Sequence, residues 1–167
     1  TINGVSKDIN VILIHGKSGS TQSDYDKRFG AAQELKDTLD AQFNSTMNII
    51  IGDYNDALNT SIYPGATVSS YTSIVADSTD ADSYKSITLP LGVAGQSTMI
   101  NYPNVIDNHV ISNEFVPFYV PGSAKVRTDV TTLNVLEAQD FTADPVARVD
   151  LPRRVPFGAH GSWLPAS

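Results

Sequence analysis

The run Ile9-Asn-Val-Ile-Leu-Ile14 and the run Met47-Asn-Ile-Ile-Ile51 decide how this chain folds. Both are short and rich in β-branched residues, which is typical of strands that are buried on both faces. Between them, from about Asp24 to Phe43, apolar or small residues recur at helical spacing, namely Phe29, Ala32, Leu35, Leu39 and Phe43. Strand, helix and strand in this order predict one α/β unit whose helix packs on the sheet.

The second half of the chain is less regular. Residues 58–97 are rich in Ser, Thr, Asp and Gly and predict a long surface excursion with only short elements. Such long loops are usually functional or mobile. A strand is predicted over 105–112, followed by an apolar stretch over 115–120 that Pro117 interrupts.

A last short strand is predicted over 147–151, and we expect the Pro- and Gly-rich tail at 152–167 to be extended or poorly ordered. The sequence therefore predicts one domain over 1–151 and a tail over 152–167.

Composition narrows the class of protein. The 167 residues carry 18 Asp and Glu against 11 Lys and Arg, a formal net charge of −7, which disfavours a generic basic nucleic-acid binder. No apolar run approaches the roughly 20 residues of a membrane helix. The chain has no cysteine, so thiolate chemistry and disulfides are excluded. Many Ser, Thr and Asn with few Lys suit an extracytoplasmic or secreted protein.

Polar residues follow both predicted strands of the α/β unit. His15 comes directly after the first strand, and Asp53 and Asn55 follow the second. Because the carboxyl ends of neighbouring strands meet at one sheet edge, we expect an imidazole, a carboxylate and an amide to lie together there. The alternative is that Gly52-Asp-Tyr-Asn55 is only a turn, in which the polar side chains cap backbone amides.

Several segments, in order, carry a resemblance to a known family. They are His15-Gly-Lys-Ser18, Tyr25-Asp-Lys-Arg28, Gly52-Asp-Tyr-Asn-Asp56 and Val105-Ile-Asp-Asn-His-Val-Ile-Ser-Asn-Glu114. Together they resemble the central and later motifs of the endonuclease/exonuclease/phosphatase superfamily, in a bacterial branch, over about 9–150. The resemblance implies an α/β (α+β type) fold, namely the carboxyl-terminal portion of the four-layer α/β/β/α sandwich of deoxyribonuclease I.

The resemblance also implies a reaction. It is the hydrolysis of a phosphodiester or phosphomonoester, assisted by a divalent cation that is usually Mg²⁺, with Mn²⁺ or Ca²⁺ as alternatives. By the same resemblance the catalytic residues are His15, Asp53, Asn55, Asp107 and Asp144, and the metal ligands are Asp53 and Asp144. An imidazole held by a carboxylate keeps its tautomer and gains basicity, which suits this role.

Lys17 and Arg28 lie in matched segments and are candidates for contacting a substrate phosphate, although ordinary solvation of both is the alternative. Two parts of the family pattern are missing. The final Ser-Asp-His motif has lost its histidine, the family's general base, near Asp144, and the metal-binding Glu of the amino-terminal half has no counterpart. Of the remaining histidines, His109 lies two residues after Asp107 on the same predicted strand face and is interpreted as a lining or core histidine, while nothing in the spacing of His160 demands a catalytic role.

These gaps leave three predictions open: a metal-dependent phosphoesterase, a non-catalytic remnant or binding domain that kept the fold, and a structural α/β module. The expected partners follow from the first two. They are a phosphoester substrate, nucleic acid or small, and either the missing amino-terminal half or a second copy that covers an apolar sheet face.

Overall fold

The computed structural model describes residues 7–77, 81–99 and 102–126, and the backbone of two further strands at 132–135 and 147–150. The elements follow in the order β1 (Ile9–His15), α1 (Gln22–Gln42), β2 (Met47–Asp53), α2 (Thr72–Val75), β3 (Tyr84–Ser86), α3 (Leu89–Val93), β4 (Asp107–Ser112), a 3-10 turn (Val116–Phe118), β5 (Thr132–Val135) and β6 (Ala147–Asp150).

Four of the strands form one mixed sheet in the order β1-β2-β4-β3. β1 and β2 are parallel, as expected for strands joined by a helix, whereas β4 is antiparallel to both β2 and β3. β5 and β6 pair with each other in a separate antiparallel sheet. The predicted α/β class is confirmed at this level, while the four-layer sandwich is a finer prediction that this sheet and its helices do not test.

Most predicted elements are present. The strand–helix–strand unit is confirmed as β1, α1 and β2, and the long excursion contains only the short α2, β3 and α3. The stretch around Pro117 forms a 3-10 turn rather than a strand, because proline fits the first turn of a helix and cannot donate to a sheet. β5 was not predicted. The tail at 152–167 lies outside the described residues.

The prediction that the first strand is buried on both faces was wrong. β1 is an edge strand, and alternate residues along it are exposed: Val11 by 62% and Leu13 by 76%. Its other face, with Ile12 and Ile14, packs on the core. Among the described residues an apolar sheet face is therefore open, as the resemblance to one half of a sandwich led us to expect; that the missing half or a second copy covers it stays a prediction.

The core lies between the other face of the sheet and the helices. Its buried members are Ala32, Leu39, Ile50, Tyr54, Leu58, Tyr71, Ile74, Tyr84 and Val110. The rings of Tyr54 and Tyr71 lie 4.7 Å apart, and each hydroxyl donates to a backbone carbonyl, of Ile50 and of Tyr54 respectively. Buried tyrosines are tolerated here because both hydroxyl groups have partners. Within the described residues, no helix combines the length and the apolar composition that crossing a membrane requires.

The buried face of α1 differs from the predicted apolar stripe. Phe29 and Phe43 are 39% and 37% exposed, while Arg28 and Lys36 are buried. Lys36 pairs with Asp40 at 2.5 Å and with Asp77 at 3.0 Å. Burial by itself lowers the pKa of Lys36, but the hydrogen bonds with both carboxylates outweigh it and raise the pKa above its ordinary value. Two cationic side chains can therefore lie on the packed face of α1, because carboxylates pair with them there.

The second of these cations, Arg28, is 1% exposed and lies opposite Asp56, which is fully buried. Their closest atoms, Nε and Oδ2, are 3.7 Å apart. Ser70 bridges them, because its hydroxyl accepts from Arg28 Nε at 3.2 Å and donates to Asp56 Oδ2 at 2.5 Å. Arg28 Nη1 also donates to the carbonyls of Lys17 and Gly19, so the loop after β1 is tied to the same pair.

Asp56 in turn organises the excursion that follows β2. Its carboxylate accepts from the backbone amides of Ala57, Ile62 and Ser70 and from the hydroxyl of Ser61. A buried carboxylate needs such a full set of donors, because each unmade hydrogen bond costs desolvation energy. The first half of the excursion is therefore folded around one charged group.

The amino terminus of α1 is closed by a capping box. Thr21 Oγ1 accepts from the amide of Asp24 at 3.3 Å, and the Asp24 carboxylate accepts from the amide of Thr21 at 3.3 Å. Hydrogen bonds from Thr21 and from Lys17 lower the pKa of Asp24 to about 2. These contacts satisfy helix amides that would otherwise lack partners.

We expect Asp56→Ala to lower the free energy of unfolding by about 3–5 kcal/mol, because it leaves a buried guanidinium without its counter-charge. Urea denaturation followed by circular dichroism measures this. Lys27→Ala, an exposed site on the same helix, is the control and should change stability by less than about 0.5 kcal/mol. Equal effects of the two substitutions would contradict the role given to the Arg28–Asp56 pair.

We expect Thr21→Ala to cost about 1 kcal/mol, since it removes the side-chain cap of α1, whereas Thr21→Ser should keep the cap and most of the stability. The same denaturation experiment, run on both variants, checks this. If serine destabilised the protein as much as alanine, the methyl group rather than the hydroxyl would be the stabilising part.

Candidate functional site

The open face of the sheet carries a row of polar residues at one end. His15 pairs in register with Asp53, and Asp53 with Asp107. Directly below, in the next row on the same face, Leu13 is in register with Ile51 and Ile51 with His109. The prediction that strand ends bring His15 and Asp53 together is thus confirmed, and β4 adds Asp107 beside them.

Within this row, His15 Nε2 lies 3.9 Å from Asp53 Oδ2. This is an ion-pair distance for a protonated imidazole and is too long for a hydrogen bond. The His15 side chain is 62% exposed, and that of Asp53 is 12% exposed. The carboxylate is therefore held by the protein, while the imidazole faces solvent.

The segment after β2 is a turn, as the alternative prediction had it. The amide of Asn55 donates to Asp53 Oδ1 at 2.8 Å, which is an Asx-type turn. Asn55 has a φ of 49°, in the left-handed region that asparagine tolerates better than most residues. Its side-chain amide donates to the Gly16 carbonyl at 3.0 Å. The turn therefore also fastens the loop after β1 to the end of β2.

Position 16 requires a glycine, because the surrounding atoms leave no room for a side chain. A Cβ there would be 2.3 Å from the carbonyl oxygen of Tyr54 and 2.4 Å from the hydroxyl of Tyr71. Its amide donates to the Asp53 carbonyl at 2.8 Å. Close backbone approach at this glycine sets where His15 stands relative to Asp53.

A cleft of about 610 Å³ opens above these rows. Its floor is the open sheet face, with Leu13 and Ile51, and its far wall comes from Ile87 and Leu91 and from the stretch 119–126. Most of this lining is apolar, while His15, Asp53, Asp107, His109, Thr88 and Thr98 supply polar groups. The Thr98 hydroxyl has a structural role, since it accepts from the amides of Ile106 and Asp107. The arrangement suits a ligand that is apolar along its body and polar at one end.

Two described histidines line the cleft, and His109 is the more enclosed of them. It lies on the same strand face as Asp107, as predicted, and both line the cleft. Burial lowers the pKa of the His109 imidazole below its ordinary value. Near neutral pH this side chain is therefore uncharged, and it can offer one donor and one acceptor.

The remaining predicted site residues lie elsewhere. Arg28 is buried in the Asp56 network and does not line the cleft. Lys17 is half exposed and pairs with Asp24 at 3.0 Å. Asp144 and His160 lie outside the described residues. The predicted roles of Arg28 and Lys17 in contacting a phosphate therefore receive no geometric support from the cleft.

The apolar wall was missed by sequence reasoning. Alternation of Val11, Leu13 and His15 along β1 was a signal that one face is shared by apolar and polar residues. No local pattern marks Ile87, Leu91 or Tyr119 as neighbours of that face, because they come from the stretch 87–91 and from position 119, which are both far from β1 in sequence.

Comparison with known families gives a different result from the sequence resemblance. A model of the family described as retinal pigment epithelial membrane protein matches residues 118–165. This is less than a third of the chain, too short a share to assign the chain to that family. No curated protein and no solved structure gives a significant match.

The match nevertheless corrects the predicted membership of the endonuclease/exonuclease/phosphatase superfamily, because it points to a carotenoid oxygenase family instead. The same match also contradicts the predicted phosphoesterase function, whether as a nuclease or as a phosphatase. Two of the segments that carried the resemblance have structural roles: Asp53 and Asn55 form a turn, and Arg28 and Asp56 form a buried pair.

The predicted cofactor is corrected for two reasons. The matched family is iron-dependent, which conflicts with Mg²⁺, Mn²⁺ or Ca²⁺. In the part of the chain that the structure describes, no group of three or more His, Asp or Glu side chains is placed to hold a metal ion. Such a group is therefore absent among the described residues, and Asp144, the second predicted metal ligand, lies outside them.

We expect stability to depend on His109 as the pH falls below about 6.5, the ordinary pKa of histidine. Because its pKa is lower in the folded than in the unfolded chain, the unfolded state takes up the proton first, near pH 6.5. Its contribution is thus present above that pH and is lost as the pH falls. Urea midpoints of the wild type should drop more on acidification than those of His109→Gln, and His15→Gln controls for losing an exposed imidazole. Parallel curves for the wild type and His109→Gln would contradict this.

Proposed function

We propose that this chain binds a small, mainly apolar molecule in the cleft on the open face of its sheet. The observation that carries the proposal is the cleft itself, whose volume of about 610 Å³ lies within the usual range for small-molecule sites. Apolar side chains that stay exposed in the free protein, above all Leu13 at 76%, gain from being covered by a ligand.

The polar row supports binding of the ligand in one defined orientation. Asp53, Asp107 and His109 all lie at the cleft, and each can exchange a hydrogen bond with a ligand group. A few polar groups among apolar walls are the usual means by which a binding site fixes how its ligand lies. In this proposal His15, Asp53, Asn55 and Asp107 form and position the polar end of a binding site.

The family match is compatible with this location. The matched stretch begins at residue 118, and its first part supplies one wall of the cleft, namely Tyr119, Ser123, Ala124, Lys125 and Val126. The first part of the matched stretch thus lines the proposed site. An extracytoplasmic setting for this binding activity stays a prediction.

The test uses Nile red, an uncharged dye whose fluorescence rises in apolar surroundings. We expect saturable binding to the purified chain, and at least a fivefold weaker apparent affinity for Leu13→Gln, roughly the loss of one side chain's apolar contact. Leu13 is largely exposed, so this substitution should leave the fold intact.

Val68→Gln is the matched control, because Val68 is 51% exposed and does not line the cleft. It should bind the dye as the wild type does. Absence of saturable binding, or equal loss in both variants, would contradict a binding site in this cleft.

A further inference from the structure

We propose that His109 determines which ligands this cleft accepts: its imidazole forms a hydrogen bond with a hydroxyl group of the ligand, so that an apolar molecule with a hydroxyl binds in preference to the same molecule with a methyl group in its place. This inference rests on the proposed binding function and adds the chemistry of the ligand's polar group. It starts from the place of His109 in the sheet.

His109 is the polar member of an otherwise apolar row on the open face. Leu13, Ile51 and His109 are in register across β1, β2 and β4. On the far side of β4, the Ile87 amide donates to the His109 carbonyl at 3.1 Å. All four residues line the cleft. A ligand that covers this row therefore lies against three apolar side chains and one imidazole.

The described protein leaves this imidazole without a partner. The backbone of His109 is held in place, since its amide donates to the Thr88 hydroxyl at 3.1 Å. Among the residues that the structure describes, neither ring nitrogen of His109 forms a hydrogen bond or an ion pair. The residue is half-buried, so a ligand that covers it takes the imidazole out of contact with solvent. A ligand hydroxyl then replaces the lost hydrogen bond, whereas a methyl group leaves it unmade, which costs desolvation energy.

The threonine hydroxyls of the cleft lining are already used by the fold. Thr88 Oγ1 donates to Asn108 Oδ1 at 2.7 Å and accepts from the His109 amide. The Thr98 hydroxyl accepts from two backbone amides. The imidazole is therefore the group within the apolar row that can meet a polar group of the ligand.

The ligand group that fits this position is uncharged. Burial lowers the pKa of the His109 imidazole, so near pH 7.5 the ring is neutral and has one donor and one acceptor. A hydroxyl also donates or accepts, so it can pair with either tautomer of the ring. An ionised group would instead lose its solvation against Leu13, Ile51 and Ile87. The class of ligand is thus an apolar molecule that carries a hydroxyl.

The experiment is displacement of bound Nile red at about pH 7.5 by 2-naphthol and by 2-methylnaphthalene, which have the same shape and differ in a hydroxyl against a methyl group. We expect 2-naphthol to displace the dye from the wild type at a concentration about tenfold lower, because it makes the hydrogen bond that the methyl compound leaves unmade. Apolar contact alone would give the opposite order, since the methyl compound is the more apolar of the two.

His109→Phe keeps a ring and removes both nitrogens, so it should reverse the order of the two compounds. His109→Gln retains a donor and an acceptor and should keep part of the preference for 2-naphthol. Tyr102→Phe is the matched control, because it removes a polar ring group at a 61% exposed position outside the cleft lining. This control should bind both compounds as the wild type does.

Equal displacement by both compounds in the wild type, or a preference for 2-naphthol that survives His109→Phe, would overturn the inference although the dye still binds. Failure of Nile red to bind would instead overturn the proposed function, and the inference with it.

Nitrogen NMR of the wild-type imidazoles tests the same contact without a substitution. Saturating 2-naphthol should shift the ring nitrogens of His109 well beyond the shift that 2-methylnaphthalene causes, because only the hydroxyl forms a hydrogen bond with the ring. Ring nitrogens that respond equally to both compounds, while both displace the dye, would contradict the role given to His109.

Discussion

The buried pair of Arg28 and Asp56 is the constraint on which the other described parts depend. Arg28 lies on α1, and Asp56 begins the excursion after β2, so their attraction ties the helix to the loops at one end of the sheet. Because neither group meets water, hydrogen bonds inside the protein must offset the cost of burying the two charges. The loop at 17–19 supplies acceptors for Arg28 Nη1 and the stretch 57–70 supplies donors for Asp56, while Arg28 Nη2 has no hydrogen-bond partner among the described residues.

This constraint also sets the site. Strand pairing sets His15 beside Asp53, and Arg28 and Asn55 hold the loop that follows β1. The contacts that stabilise the loops thus also fix the chain next to the polar row. Polar residues at strand ends are common to many α/β proteins with unrelated chemistry. That is why motif resemblance alone led to a phosphoester hydrolase, which the family comparison contradicts.

Much of the fold was predictable because its signals are local. Runs of β-branched residues placed β1, β2 and β4, and helical spacing placed α1 to within two residues at its start. Burial was harder to predict. Arg28 and Lys36 occupy the packed face of α1 where Phe29 was expected, because they pair there with carboxylates, of which Asp56 and Asp77 are distant in sequence. Pro117 was correctly identified as an interruption, although it begins a 3-10 turn.

The sequence by itself determined the α/β unit, the parallel pairing of its two strands, and the meeting of His15 with Asp53, since period and chain connectivity suffice for these. Only the tertiary structure decided which face of the sheet stays open, that Asp107 stands beside Asp53, and that Ile87, Leu91 and Tyr119 build a wall above them. The physical reason is that strand order and loop packing depend on contacts between residues far apart in the chain, and these contacts leave no periodic trace in the sequence.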